Sequence, residues 1–375
     1  MRNTSESIDA STLAALRLNL VAGVGPRTQQ SLLTRFGSAE AVFAASEPEL
    51  LDVDGIGPKV AASLLAARHS QSAEREWARC RELGVSLIPR GSAGYPTPLT
   101  QIYDPPGVLY CHGTIEPRDE LALAIVGSRR CTLYGRQQAE KLAGALARAG
   151  VTIVSGLARG IDASAHQGAM AAGGRTIAVL GTGLANIYPP EHVDLAGQIT
   201  RQGALVAETS LDQAPLPGLF PQRNRIISGL SIGVIVVEAT RNSGALHTVR
   251  HAIEQGREVF AVPGRIDSLA SEGCHDILRD GATLVRHVDD ILQALGPLVA
   301  PVQTEPGKTV RSARELSLDP QERAVLQLVT TDAITIDEIL RGASIETSRV
   351  LATLTVLEMR RLVRRLPGGM YCRVD

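Results

Sequence analysis

Between residues 121 and 264 the chain repeats short apolar runs, and longer stretches with a helical pattern of apolar residues separate them. The runs are LALAIVG, VTIVSG, RTIAVLG, ALVAE, IGVIVVEA and EVFAVPG. Several are apolar throughout, which is typical of strands that are buried on both faces of a sheet. Strands of this kind that are joined by helices predict a parallel α/β sheet, which we assign to residues 85–296.

Different patterns flank this region. Within residues 1–84, LVAGVGPRTQQSLLTRFG and LDVDGIGPKVAASLLAAR each place Gly, an apolar residue, Gly and Pro before a helical pattern. This internal repeat predicts a pair of helix-hairpin-helix motifs. Residues 297–315 are punctuated by Pro and are predicted to be a linker. Residues 316–375 show three helical segments and then a Gly-Gly hairpin, which is the order of a small winged helix.

Composition narrows the class of protein. With 375 residues and 44% apolar residues, the chain has the profile of a globular protein of two or three domains. No apolar run approaches the roughly 18 to 20 residues that span a bilayer, and MRNTSESIDAS lacks the layout of a signal peptide. We therefore expect a cytoplasmic protein with no membrane association. The five cysteines are scattered and form no Cys-x-x-Cys pair, so we expect no disulfide framework, metal site or cofactor.

The first two loops after strands combine glycine, serine and arginine. The first consists of Gly127, Ser128, Arg129 and Arg130, and the second contains Ser155, Gly156, Arg159 and Gly160. Backbone N–H groups in such loops, together with the positive end of the next helix, can hold an anion, and arginine adds a charge-assisted contact. Both loops are expected at the carboxyl edge of the sheet, where ligands bind. The alternative is a set of tight turns with solvated arginines, since neither a Walker-A nor a Gly-x-Gly-x-x-Gly pattern is present.

Three later segments extend this candidate edge. They contribute Gly181 and Gly183, then Phe220, Arg223, Asn224 and Arg225, and finally Ser243, Gly244 and Thr248. An aromatic residue beside arginine and asparagine suits base stacking and phosphate contacts on a single strand of nucleic acid. The alternative places Phe220 in the core and pairs the arginines with Glu208 or Glu238. We expect some of both, with at least one of the two arginines buried.

Three polar residues near these loops are predicted to be structural. Asp162 and His166 lie four residues apart on one helix face, so a hydrolase could use His166 as a general base that Asp162 orients. No Gly-x-Ser-x-Gly elbow or metal-ligand cluster accompanies them, which favours a capping aspartate and a histidine that bonds to backbone. Glu238 ends its strand and is expected to position a loop or a hydroxyl. We therefore predict no catalytic residue.

Taken together, these segments resemble the DNA-processing protein A (Smf) family over nearly the whole chain. The matching segments, in order, are YPTPLTQIYDPPGVLYCHG, AIVGSRRCTLYG, VSGLARGIDASAH, TIAVLGTGLANIYP, FPQRNRIISGLS, VVEATRNSGALHT and VFAVPG. The resemblance implies an extended Rossmann domain in a bacterial cytoplasmic protein. It also implies a non-enzymatic homodimer that binds single-stranded DNA and loads RecA recombinase during natural transformation.

The resemblance carries over to particular residues. In the family the Gly-Ser-Arg loop lines the DNA pocket, which corresponds here to residues 127–129, and the Phe-x-x-Arg-Asn-Arg segment corresponds to residues 220–225. One departure is the third loop, where many relatives carry a basic residue and this chain has Glu191 and Asp194. Acidic residues there weaken attraction to DNA unless His192 or an arginine elsewhere compensates.

The terminal regions offer further candidate contacts. Arg27 and Lys59 follow Gly-x-Gly-Pro at the same offset, so each is a candidate contact to duplex DNA. The alternative for residues 1–84 is a protein-interaction module of the sterile-alpha-motif (SAM) kind, because acids and bases are balanced there. The winged helix carries the basic cluster MRRLVRRL and is predicted to contact duplex DNA or a protein.

Two other functions remain open from the sequence. One is a Rossmann-like enzyme of the nucleoside-monophosphate phosphoribohydrolase type, which resembles a Pro-Gly-Gly-x-Gly-Thr-x-x-Glu motif. This chain has NSGALHTVRHAIE at the corresponding point, without tandem glycines and with Glu254 further along. The other is a protein that keeps only an interaction role and whose pocket is structural.

Overall fold

The structure is a computed structural model that describes residues 8–305, 308–312, 318–360, 362–366 and 368–374. Within its N-terminal region the described residues form six helices: α1 (Ala10–Asn19), α2 (Pro26–Phe36), α3 (Ala39–Ala44), α4 (Glu47–Leu51), α5 (Pro58–Ala67) and α6 (Ser72–Glu82). They enclose a core of their own, which includes Leu18, Leu32, Val42, Leu50 and Leu64.

The predicted hairpin repeat is confirmed in this region. Gly23 and Gly55 have φ of 85° and 84°, a backbone region in which only glycine is free of steric strain. Two residues later an extended glycine precedes a proline at the first position of α2 or α5, where the missing N–H breaks no helical hydrogen bond. The two hairpins are therefore local copies of one another.

Residues 85–296, all of which the structure describes, form an α/β domain around a nine-stranded sheet. Its strands are β1 (Val85–Pro89), β2 (Val108–Gly113), β3 (Ala122–Gly127), β4 (Thr152–Ser155), β5 (Thr176–Val179), β6 (Ala204–Ala207), β7 (Gly233–Val237), β8 (Glu258–Ala261) and β9 (Thr283–Leu284). Its helices are α7 (Thr97–Thr100), α8 (Leu133–Arg148), α9 (Ile161–Ala171), α10 (Val193–Gln202), α11 (Leu219–Gly229), α12 (Ala245–Glu254), α13 (Glu272–Arg279) and α14 (Val288–Leu295).

The sheet order is β1-β2-β6-β5-β4-β3-β7-β8-β9. Strands β3 to β9 pair in parallel, and β1 and β2 extend one edge with antiparallel pairing. All six predicted runs are strands of this sheet. Alternate residues of a strand point to opposite faces, so Leu123 and Ile125 pack with α8 and α9, while Ala124 and Val126 pack with α11 and α12. The predicted parallel α/β sheet and extended Rossmann-like architecture are confirmed.

The predicted linker contains paired strands. Strands β10 (Pro297–Glu305) and β11 (Lys308–Ser312) run antiparallel. Valine and threonine recur along both segments, and these residues favour strands, a signal that the prolines outweighed in the sequence analysis. The remainder of the predicted linker, residues 306–307 and 313–315, lies outside the described residues.

The C-terminal region is a winged helix, as predicted. It consists of α15 (Pro320–Leu328), β12 (Ile334–Thr335), α16 (Ile336–Gly342), α17 (Thr347–Met359), β13 (Val363–Leu366) and β14 (Met370–Arg373). Gly368 and Gly369 have positive φ between β13 and β14, which accounts for the Gly-Gly turn. Residues 1–7 and 316–317, and Arg361 of the basic cluster, lie outside the described residues.

Membrane-spanning and metal-binding features were also sought. None of the helices in the described ranges combines the length and apolar character needed to cross a membrane. The same ranges hold no group of three or more His, Cys, Asp or Glu side chains placed to bind a metal ion.

Candidate nucleic-acid interface

A cavity of about 720 Å³ opens at the carboxyl edge of the sheet. Many of the residues predicted to form the site line it: Gly127, Ser128, Arg129, Arg130, Phe220, Arg223, Asn224, Ser243, Gly244 and Thr248. They come from the ends of β3 and β7 and from the first turns of α11 and α12. The topology of the sheet therefore brings together loops that lie far apart in the sequence.

The cavity carries an exposed cation over an aromatic ring. The guanidinium carbon of Arg129 lies 5.4 Å from the centroid of the Phe220 ring. The Phe220 ring in turn lies 5.6 Å from the ring of Tyr188. Among the described residues no carboxylate forms an ion pair with Arg129, so its charge faces the cavity. Aromatic faces beside a free cation suit bases and phosphates respectively.

Glu238 holds the loop that carries Arg129. Its carboxylate accepts a hydrogen bond from the backbone N–H of Thr132 at 2.7 Å and another from the Thr132 hydroxyl. Its backbone carbonyl accepts from the N–H of Ser128 at 2.7 Å. Glu238 itself has φ of 52°, which a non-glycine residue adopts only when its surroundings hold it there. These contacts make Glu238 a loop-positioning residue and leave its carboxylate committed.

Asp162 holds the second loop. Its carboxylate accepts from the backbone N–H groups of Gly156 at 3.1 Å and Ala158 at 3.3 Å. Burial raises the pKa of this carboxyl, while the nearby Arg223 guanidinium opposes that rise. Asp162 is the single acidic residue that lines the cavity, and its oxygens are occupied by the loop.

His166 does not form the base of a hydrolase. Its Nδ1 lies 2.7 Å from the Thr176 hydroxyl, which itself donates to the Ile153 carbonyl. The histidine therefore donates from Nδ1 to threonine, which corrects the expectation that it bonds to backbone. Burial lowers its pKa to about 3, so the ring is neutral at physiological pH. His166 lies outside the cavity and makes no hydrogen bond to Asp162.

The two arginines of α11 have different surroundings. Arg223 lines the cavity floor, and its Nη1 donates to the carbonyls of Gly156, at 2.7 Å, and Val179. Burial lowers its pKa to about 10, so it remains charged at neutral pH. Arg225 lies outside the cavity, 3.3 Å from Asp104 and paired with Glu208. The expected pairing with Glu208 is observed, and the hypothesis that Arg225 contacts DNA is corrected to a buried structural role.

Several predicted glycines and Ser155 serve packing instead. Ser155 is buried and donates to the Ile125 carbonyl at 2.6 Å. A Cβ atom on Gly160 would lie 2.3 Å from the Ser128 oxygen, and one on Gly183 would lie 2.1 Å from the Leu211 oxygen. Gly181 packs against Phe220 in the same way. These four residues lie outside the cavity, and the corrected interpretation is that close backbone packing, rather than ligand contact, requires them.

A smaller cavity of about 20 Å³ adjoins the main one. Gly156 and Arg159 line it, together with residues of the Arg129 and Phe220 stack. Arg159 is exposed and forms an ion pair with Glu191 of the third loop. The pair raises the pKa of Arg159 and lowers that of Glu191. The charge of Arg159 is thus neutralised at the rim of the site.

The sequence analysis missed Tyr188, Thr240 and His247, which also line the main cavity. The Tyr-Pro pair after the third strand could have indicated Tyr188, whereas nothing in the pattern marks the other two. Glu254 lies outside the cavity on α12, with its side chain 72% exposed and 3.5 Å from His251. Arg27 and Lys59 also lie outside it, exposed in the first turns of α2 and α5.

Comparison with known proteins identifies the chain's relatives. The sequence model for DNA recombination-mediator protein A matches residues 86–296, that for the DprA winged helix domain matches residues 310–369, and that for the helix-hairpin-helix motif matches residues 20–74. The chain is 42% identical to Protein Smf of Escherichia coli (strain K12) over 289 residues, which cover 77% of each protein.

Solved structures agree with these matches. DNA processing protein A from Streptococcus pneumoniae superposes with a TM-score of 0.67 at 33% identity, covering 77% of this chain and 98% of that one. A structure concerning the single-stranded DNA binding mode of DNA processing protein A from Helicobacter pylori superposes with a TM-score of 0.51 at 31% identity, covering 56% of this chain and 95% of that one. From its sequence and its fold, the chain belongs to the DNA-processing protein A (DprA/Smf) family.

Proposed function

We propose that this chain is a non-enzymatic, cytoplasmic protein that binds single-stranded DNA, protects it and passes it to RecA during natural transformation. The observation that carries the proposal is the exposed Arg129 stacked on Phe220 in a cavity whose one acidic lining residue, Asp162, is bonded to backbone. The H. pylori relative, whose structure concerns single-stranded DNA binding, supports the same ligand.

The geometry supports a division of labour within the cavity. Ser243 and Gly244 precede α12, where the first N–H groups of a helix lack helical partners and favour an anion. Arg129 and Arg130 add charge for the phosphates. The rings of Phe220 and Tyr188 offer faces on which unpaired bases can stack. Such contacts read no base edge, so the chain is expected to bind with little sequence preference.

The proposal is tested by fluorescence anisotropy of a labelled oligo-dT across a range of salt concentrations, with duplex DNA as competitor. We expect binding that prefers the single strand and weakens as salt rises, because arginine contacts to phosphate release counterions. Absence of binding would contradict the proposal. Release of free base from nucleoside monophosphates would then favour the phosphoribohydrolase alternative, although the exposed Glu254 lies outside the cavity.

Glu191→Gln is expected to tighten single-stranded DNA binding by roughly threefold at low salt, because it frees the charge of Arg159 and removes a negative charge beside the cavity. Anisotropy titrations of both proteins measure the change. Glu254→Gln is the matched control, since it removes the same charge from an exposed residue outside the cavity. Equal affinity of Glu191→Gln and wild type would show that the ion pair does not compete with DNA.

The RecA and homodimer parts of the proposal rest mainly on family membership, since the matched model describes a recombination mediator. Exposed apolar side chains after β8 and on β9, namely Ile266, Leu269 and Leu284, supply surface that a second copy could cover. Sedimentation velocity tests the homodimer, and a monomer at micromolar concentration would contradict it. The RecA role predicts faster DNA-dependent ATP hydrolysis by RecA when the chain is added, and an unchanged rate would contradict it.

A further inference from the structure

Tyr103 presents an aromatic ring to solvent from an anchored loop. The residue is 73% exposed, while the preceding Ile102 is buried in the core of the α/β domain. The following Asp104 lies 3.3 Å from the Arg225 guanidinium. Further along the loop, the Pro106 carbonyl accepts a hydrogen bond from the buried Tyr95 hydroxyl at 2.8 Å. The ring therefore projects from backbone that is held on both sides.

One face of this ring is covered by a cation from the first helix-hairpin-helix motif. The guanidinium carbon of Arg27 lies 4.6 Å from the centroid of the Tyr103 ring. Within the described ranges, no carboxylate lies within ion-pair distance of Arg27. The N-terminal region is fixed beside this loop, because the Asn19 amide donates to the Glu208 carbonyl at 3.4 Å. Arg27 thus supplies an unneutralised charge, and the exposure of Tyr103 leaves the other ring face open.

The pair lies across α11 from the main cavity. Phe220 and Asn224 of that helix line the cavity, whereas Arg225 points to Asp104, the residue next to Tyr103. A strand that leaves the cavity over the first turns of α11 would meet Tyr103 and Arg27 next. The loop before α11, residues 212–218, is largely exposed and leaves this route open.

We propose that Tyr103 and Arg27 form a second contact for single-stranded DNA, in which one nucleobase stacks on the open face of Tyr103 and Arg27 contacts the adjoining phosphate. The inference rests on the proposed function of the main cavity and extends it. An isolated aromatic face is useful to an unpaired base, since the bases of a duplex already stack on one another. Arg27 is thereby reassigned from a duplex contact to the single-strand path.

Titrations with an oligo-dT series of increasing length test this inference. Tyr103→Ala is expected to lower the affinity for long oligonucleotides by roughly tenfold, because base stacking on an aromatic ring is lost. It should leave the shortest oligonucleotide that still binds unaffected, since that strand fills only the main cavity. Tyr103→Phe should retain near wild-type affinity at every length. Arg27→Ala should show the same length dependence as Tyr103→Ala.

Lys59→Ala is the matched control, because Lys59 occupies the equivalent position of the second hairpin and no ring contact involves it. It reports the effect of removing one charge from this region. Tyr103→Ala binding that equals wild type at every length, with the wild type itself binding DNA, would overturn the inference alone and leave the pair as an interdomain brace. A wild type that binds no single strand of any length would overturn the proposed function and this inference with it.

Discussion

Arg129→Ala is expected to lower the affinity for oligo-dT by roughly 10- to 100-fold at low salt and to reduce the slope of log affinity against log salt by about one. Arg129 is the exposed cation that faces the cavity without an ion pair, and it also covers the Phe220 ring. Its loss removes a phosphate contact and uncovers an aromatic face at once. Anisotropy titrations at several salt concentrations measure both the affinity and the slope.

Arg148→Ala provides the control for this prediction. Arg148 is exposed and ends α8 at the opposite edge of the sheet, so its removal changes the net charge equally without touching the cavity. We expect its affinity to stay within about twofold of wild type. An Arg129→Ala variant that binds as tightly as Arg148→Ala would show that the cavity is not the DNA site, even if the chain binds DNA elsewhere.

Arg225→Ala is expected to lower the free energy of unfolding by about 3 to 5 kcal/mol, because it leaves a buried carboxylate without its cation. The side chain of Arg225 is 6% exposed, and that of its partner Glu208 is 17% exposed. Burial raises the pKa of the Glu208 carboxyl, and Arg225 opposes that rise. Urea denaturation followed by circular dichroism measures the change.

Two further variants sharpen this second prediction. Arg265→Ala removes a pair with Asp267 whose arginine side chain is 84% exposed, and pairs of that kind contribute little to stability, so the variant should unfold like wild type. Adding Glu208→Gln to Arg225→Ala should restore part of the loss, because a neutral amide replaces the stranded charge. A single variant within about 1 kcal/mol of wild type would contradict the structural role of Arg225.

The fold was predictable where burial leaves a strong pattern. Strands β3 to β8 have helices on both faces and therefore appear as nearly continuous apolar runs. Strand β1 forms one edge of the sheet and mixes Ser86 and Pro89 with its apolar residues, so the pattern gave it no strand signal. The paired strands within residues 297–312 were missed because proline is also typical of linkers.

The candidate site was predictable at the level of loops and not of single side chains. Parallel strands end at one edge, which is enough to bring the four loops together. Arg223 and Arg225 are chemically identical in the sequence, yet residues two apart on a helix point to nearly opposite sides. Which of them faces the cavity depends on the orientation of α11 against the sheet, and on the position of Glu208 and Asp104, which only the folded chain supplies.

The hydrogen bonds of Glu238, Asp162 and Arg223 have a consequence for the thermodynamics of binding. They connect the β3, β4 and β5 ends of the sheet to one another and to α11 while the cavity contains no DNA. Loops that are already held in place lose little conformational freedom when a ligand arrives. The entropy lost on association therefore falls mainly on the strand, a flexible polymer in solution, and not on the protein.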